Sequence, residues 1–279
     1  QADDHRVRVL VPTPFVSETV VADNQFGCIT RPTNDPAMAV WEEEKWKEAP
    51  VPVYQLMNFA ALENGKAGMA IVSNGLSEFE VIASQGDENR DTFALTLFRG
   101  IGVLGKEELL LRPGRPSGIK IPTPDSQVRG KLVCEFTLCV FSGNHIDASI
   151  MAQARDNVTQ IECYNKIPYN AMKLNVGEQN LPMSFSLLSK QQSGAVLSVL
   201  KKAEDEDALI MRFYNPAETG SVSDSISFTQ AVSSWKETSM DERVREGDVA
   251  IETFNDLSFG DLSFGELASC QAKTFQIKF

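Results

Sequence analysis

The sequence predicts a mainly β protein with one or two short helices, and three observations carry that expectation. Apolar residues alternate over short runs: Val7, Val9 and Val11 within residues 5–11, and Phe93, Leu95 and Leu97 within residues 92–99. Turn-forming residues separate the runs, as in ENGKAG at 63–68 and Asn74-Gly75. Helical spacing stands out in one stretch, residues 147–166, where Ile150, Ala154, Val158 and Ile161 fall on one stripe.

Residues 5–11 read as a first strand, with Val7, Val9 and Val11 on one side and Arg6, Arg8 and Leu10 on the other; Pro12 and Pro14 end it. VVADNQFGCITR, residues 20–31, is a second extended stretch broken at Asn24 and Gly27. Residues 34–52 form a linker-like excursion in which Asn34 or Asp35 caps a short helix, with Pro36 at its first position. Trp41 and Trp46 lie in it, placed either to tack it to the sheet or to stack on a sugar. VYQLMNFAAL is expected to be one strand, with ENGKAG turning it into MAIVSNGLSEFEVI. Residues 92–99 then form a strand that ends on Arg99, followed by an excursion bearing Arg112, Pro113, Arg115, Pro122, Pro124, Asp125 and Gln127. Arginines set among rigid prolines suit a loop that shapes a surface or a cleft. KLVCEFTLCVF, residues 131–141, reads as one more strand. The helix follows, with Asn144 or Asp147 as its cap and Pro168 marking its end.

A polar, turn-rich stretch around AMKLNVGEQNLP predicts a domain boundary, giving residues 1–173 and 174–279. Beyond it SFSLLS, AVLSVLKKAE, ALIMRFYNP, SVSDSISF and KTFQIKF recur at the spacing of a small β-sandwich. The tandem DLSFG at 256–265 reads as a local duplication in a surface segment.

A net charge of −12 argues against nucleic acid and anionic membranes as partners. No run of about 18 apolar residues is present, so no membrane span is expected. The five scattered cysteines form no CxxC pair and are expected to be reduced and mostly buried, in a cytoplasmic protein. With two histidines, His5 and His145, in no ligand spacing, no metal site is expected within the chain. P-loop, GxGxxG and GxSxG motifs are absent, and no carboxylate pair is singled out by spacing, so no catalytic residue is assigned.

ALTLFRGIG, RPG, TPDSQ and Gly130, in that order, resemble the C-terminal half of glycoside hydrolase family 38 α-mannosidases, in the bacterial branch that includes mannosylglycerate and phosphomannosylglycerate hydrolases. DHRVRVLVP, VADNQFG, GMAIVSNGLSEFEV (as a hairpin), AVLSVLKKAEDEDALIMRFYNP and CQAKTFQIKF extend the likeness over most of the chain. The resemblance implies a large galactose-mutarotase-like two-sheet supersandwich, followed by a smaller β-sandwich. It implies a parent zinc-dependent retaining α-mannosidase whose zinc and nucleophile lie in an upstream catalytic domain. The expected partners are then that domain and a mannoside substrate, and a homo-oligomer stays open. This chain, expected to be cut from a longer protein, would complete the site without holding a cofactor and be inactive alone. Arg99 is the first candidate to approach the substrate; Asn74, Asp125 and Gln127 follow. The competing reading is a stand-alone carbohydrate-binding or interaction module, motivated by Trp41, Trp46 and Trp235.

Overall fold

The computed structural model describes residues 3–84, 89–107, 109–114, 116–163, 182–190, 194–243 and 261–279. The chain divides into two compact units, Gln1–Val158 and Thr159–Phe279. The boundary expected at 173/174, the first DLSFG copy and Arg115 lie outside the described residues.

The first unit is a two-sheet sandwich. Its strands are β1 (His5–Pro12), β2 (Thr19–Asn24), β3 (Gly27–Pro32), β4 (Val53–Gln55), β5 (Phe59–Glu63), β6 (Ala67–Ser73), β7 (Glu78–Ile82), β8 (Thr92–Gly100), the short β9 (Val103–Leu104) and β10 (Ile121–Pro122), and β11 (Phe136–Ser142). One sheet runs β1-β8-β7-β4, the other β11-β6-β5-β2-β3, with antiparallel neighbours throughout. Val20, Ala22, Leu62, Ile71, Phe79, Val81, Phe93 and Leu95 meet between them in one core. Burying each large apolar side chain there contributes roughly 1.5–3 kcal/mol.

VYQLMNFAAL is not one strand. β4 belongs to one sheet and β5 to the other, and residues 56–58 cross between them. The cause is Asp23, which is 4% exposed. Its carboxylate accepts hydrogen bonds from the Met57, Asn58 and Phe59 backbone N–H groups at 2.8–2.9 Å and from Asn58 Nδ2 at 2.8 Å. These amides leave the ladder without being orphaned in the interior. Asn74-Gly75 likewise does not close a hairpin: it hands the chain from β6 in one sheet to β7 in the other.

Two further strands are shorter or less regular than their patterns suggest. β11 begins only at Phe136, so Cys134 lies outside it. β1 pairs with β8 through a shift in register between Val7 and Arg8, where Leu97 of β8 has no partner, and Val7 is left 48% exposed. The first helix is the single turn α1 (Ala37–Val40), where Asp35 Oδ1 accepts from the Ala37 N–H at 2.9 Å. The second, α2, spans only Ile150–Val158 and buries Ile150, Met151 and Ala154. Residues 147–149 form a turn instead, Ser149 having a φ of 53° that a continuous helix does not allow. Residues 159–163 are not helical and 164–166 are outside the described residues.

The turn before α2 is tied to β5. Glu63 accepts from the His145 backbone N–H at 2.7 Å and meets its Nδ1 at 3.1 Å. Burial pushes the Glu63 carboxyl up, but the hydrogen bond and charge of His145 outweigh it, so the group titrates below its usual range. A depressed folded value means stability that is complete above the ordinary glutamate pKa and lost as pH falls through the folded one. Glu63→Gln is therefore expected to lower unfolding stability by about 1–3 kcal/mol at neutral pH. The gap to the parent should close on acidification, as urea midpoints measured from neutral pH to about pH 3 will show.

The second unit is a smaller sandwich. Its strands are β12 (Leu188–Lys190), β13 (Val196–Lys202), β14 (Leu209–Tyr214), β15 (Val222–Phe228), β16 (Ser234–Thr238), β17 (Asp261–Leu267) and β18 (Ala272–Lys278). Sheets β12-β15-β17 and β13-β14-β18-β16 enclose Met211, Phe213, Ile226, Trp235, Leu267, Phe275 and Ile277. The second DLSFG is part of a paired strand, β17, and its Ser263 and Gly265 are exposed as expected of a surface segment. Trp235 is 1% exposed and stacks on Phe275 with ring centroids 4.4 Å apart, so it is core and offers no face to a sugar.

Candidate functional site

The candidate site grows from the face of the four-stranded sheet that points away from the core. On β7, Phe79 and Val81 are buried, which sends Glu78 and Glu80 to the opposite face. β1 places Arg6 and Arg8 over them. Arg6 donates to Glu78 at 3.4 Å and to Glu80 at 3.0 Å, while Arg8 donates to Glu80. Thr96 of β8 donates its hydroxyl to Glu78 at 2.7 Å.

Arg99 joins this group because of the irregularity at Leu97. Simple alternation from Thr96 would turn Arg99 to the core side; the unpaired Leu97 resets the face and pairs Arg99 with Arg6. Arg99 Nη1 contacts Glu78 Oε2 at 3.3 Å, and its side chain remains 60% exposed. Six charged or polar side chains from three strands thus form one network, in which Arg99 is the most exposed cation.

Beyond Arg99 the strand end opens onto a groove of about 510 Å³, lined by Asp4, His5, Arg6, Arg99, Lys106 and Ser117 together with apolar Ile101, Val103 and Leu109. Lys106 Nζ meets Asp4 Oδ2 at 2.5 Å. That bond, then the Gly102 N–H, holds the Asp4 carboxyl below its usual range. The groove wall is pinned: Ser117 and Lys106 exchange hydrogen bonds at 2.9 and 3.1 Å, and Thr123 bonds Ile101 and Gly102. Gly105, at φ 76°, sits where a Cβ would come within 2.7 Å of the Ile119 carbonyl, so the wall closes only around glycine.

The other predicted positions fall elsewhere. Gln127 lies in a short 3-10 turn, Pro124–Gln127, and donates to the Asp3 and Ile101 carbonyls at 2.7 and 2.9 Å, tying the loop to the N-terminal strand. Asp125 is exposed in the same turn, and Asn74 is exposed at the β6–β7 turn; neither lines the groove. Arg112 pairs with Glu48 at 2.9 Å and braces the excursion. Trp46 is 45% exposed and donates to Glu44. Of the five free cysteines only Cys28 is buried. Arg6 and Lys106 were not singled out in the sequence; the alternating basic pair at 6 and 8 opposite Arg99 was the available signal for the first.

Among the described residues the donor chemistry does not fit a resident zinc. Among the described residues no group of three His, Cys, Asp or Glu side chains is placed to hold a metal ion, and one of the two histidines is taken up by Glu63. Among the described residues no helix is long and apolar enough to cross a membrane.

Comparison with known proteins points to one family. Residues 3–102 match the glycosyl hydrolases family 38 C-terminal domain, and residues 194–278 match the glycosyl hydrolases family 38 C-terminal beta sandwich domain. A Halalkalibacterium halodurans protein named "Putative mannosylglycerate hydrolase" is 26% identical over 220 residues, covering 78% of this chain and 21% of that protein. Two solved Enterococcus faecalis structures share the fold. An alpha-mannosidase has a TM-score of 0.68 at 20% identity, over 97% of this chain and 25% of its own. A protein in glycosyl hydrolase family 38 has a TM-score of 0.66 at 19% identity, over 97% and 26%. The chain thus spans about a fifth to a quarter of the length of these relatives. Its two sandwiches, in this order, belong to glycosyl hydrolase family 38 as that family's C-terminal domains.

Proposed function

We propose that the chain is the non-catalytic C-terminal part of a zinc-dependent retaining α-mannosidase acting in the cytoplasm, and that it supports and completes an active site housed in a separate catalytic domain of the same protein. The observation that carries this reading is the ordered pair of family 38 C-terminal domains in a chain a fifth to a quarter as long as its relatives. The surface is consistent with it. The excursion after β8 exposes Leu104, Leu110, Leu111, Ile119 and Ile121, at 45–93%, beside the groove. Exposed apolar side chains gathered in one excursion suit contact with another protein surface. Arg99 is the residue proposed to face the mannoside. The zinc would be held by the catalytic domain, not by residues of this chain.

The rival reading, a free-standing sugar-binding module, has lost Trp235 to the core. Calorimetric titration of the chain with methyl α-mannoside separates the two. The scaffold reading predicts no saturable heat at about 10 mM ligand. Saturable binding that is lost in Trp46→Ala would favour the module instead.

A further inference from the structure

We infer that Asn74, in preference to Asn64, is a site of spontaneous covalent modification: its side-chain amide is lost as ammonia, leaving aspartate and isoaspartate in the connection between β6 and β7. The sequence has two Asn-Gly pairs, Asn64-Gly65 and Asn74-Gly75. In each, the glycine has no Cβ to shield its backbone nitrogen from the asparagine side chain before it. The fold treats the two pairs differently.

Asn64 is tied down in the hairpin between β5 and β6. Its Oδ1 accepts from the Lys66 and Ala67 backbone N–H groups, both at 3.0 Å, and its own N–H donates to the Ala67 carbonyl at 3.1 Å. Its amide carbon swings onto the Gly65 nitrogen only by giving up the two bonds to Oδ1. Asn74 has no such hold. It is exposed, and among the described residues neither its side chain nor the Gly75 N–H makes a hydrogen bond. The turn is fastened on either side instead, where the Ser73 N–H donates to the Asn58 carbonyl at 2.8 Å and the Leu76 N–H to Ser73 Oγ at 3.3 Å. Gly75 stands at φ 103° with nothing within 4 Å of the place a Cβ would take, so there is room for the Asn74 side chain to fold back.

The Gly75 nitrogen, its proton passed to water or hydroxide, attacks Cγ of Asn74. The N–Cγ bond forms, the Cγ–Nδ2 bond breaks, and Nδ2 leaves as ammonia with a proton from solvent. Water then opens the cyclic imide at either carbonyl, giving aspartate or isoaspartate. A water is consumed and an ammonia released, and nothing is oxidised or reduced. Either product puts a new carboxylate just ahead of Glu78, and isoaspartate adds a methylene to the main chain where it passes between the sheets.

This chemistry does not depend on the scaffold reading and can be followed on the chain alone. The purified chain is incubated at mildly alkaline pH, digested at acidic pH and mapped by mass spectrometry, with isoaspartate revealed by methylation with a protein isoaspartyl methyltransferase. Amide loss is expected to run about tenfold faster at Asn74 than at Asn64, because the hydrogen bonds holding Asn64 must break first. In urea, where hairpin and turn are both lost, the two rates should converge. Asn74→Gln, whose longer side chain must close a less favoured ring, should abolish the fast reaction and leave the rate at Asn64 unchanged. Equal rates in the folded chain, a faster reaction at Asn64, or no reaction at Asn74 until urea is added overturns the inference. A rate difference that persists in urea overturns it too, since neighbouring side chains rather than the fold would then select the site.

Discussion

Asp23→Ala is expected to destabilise the first unit by about 3–5 kcal/mol. The carboxylate is buried and receives three backbone N–H groups and one side-chain amide. Removing it strands the amides of Met57, Asn58 and Phe59 where the chain crosses between sheets, and each stranded amide costs about 1–3 kcal/mol. Asp23→Asn keeps one acceptor oxygen and should lose roughly half as much. The expected signature is a lower urea midpoint together with faster amide exchange in β5 and β6, while β14 and β18 of the second unit stay protected. A change of less than about 1 kcal/mol would show that the crossover is held by packing alone.

Trp235→Ala is expected to remove about 3–5 kcal/mol from the terminal sandwich. The ring is stacked on Phe275 in the middle of that core. Its Nε1 is buried without a hydrogen-bond partner. Trp235→Phe should therefore be milder, since the smaller ring loses volume but also relieves an unpaired N–H. Thermal melts of the three proteins will order them parent, Phe, Ala. Equal stability of parent and Trp235→Ala would contradict the placement of this ring in the core.

Much of the architecture was legible along the chain. β8 shows itself because it lies mid-sheet, where Phe93 and Leu95 alternate with smaller residues. The strands of the second unit show themselves by regular turn spacing. What was hidden depends on contacts far apart in sequence. β4 and β5 read as one strand because the residue that separates them, Asp23, lies 34–36 positions away. The second DLSFG carries serine and glycine in a polar surrounding, and only pairing with β15 makes it a strand. Trp235 looked as suited to a sugar as to a core, since aromatic character alone does not report burial.

The groove was harder still. Arg99 was visible as a strand-end arginine. Its partners Arg6 and Lys106 come from another strand and a loop, and Lys106 meets an acid 102 positions earlier. One unpaired residue, Leu97, decides which face Arg99 occupies, and nothing in the alternation of ALTLFR announces it. Gln127 and Asp125 sat in a motif that resembled a family signature, yet the contacts of Gln127 are backbone carbonyls, of Asp3 and Ile101, that tie the loop to the N-terminal segment.

As proposed, this chain supports an α-mannosidase site without containing one. Turnover of an aryl α-mannoside, measured on the purified chain and on a longer protein in which a family 38 catalytic domain precedes it, tests this most directly. No turnover is expected from the chain alone, with added zinc or without, and turnover is expected from the longer protein. Hydrolysis by the isolated chain would contradict it.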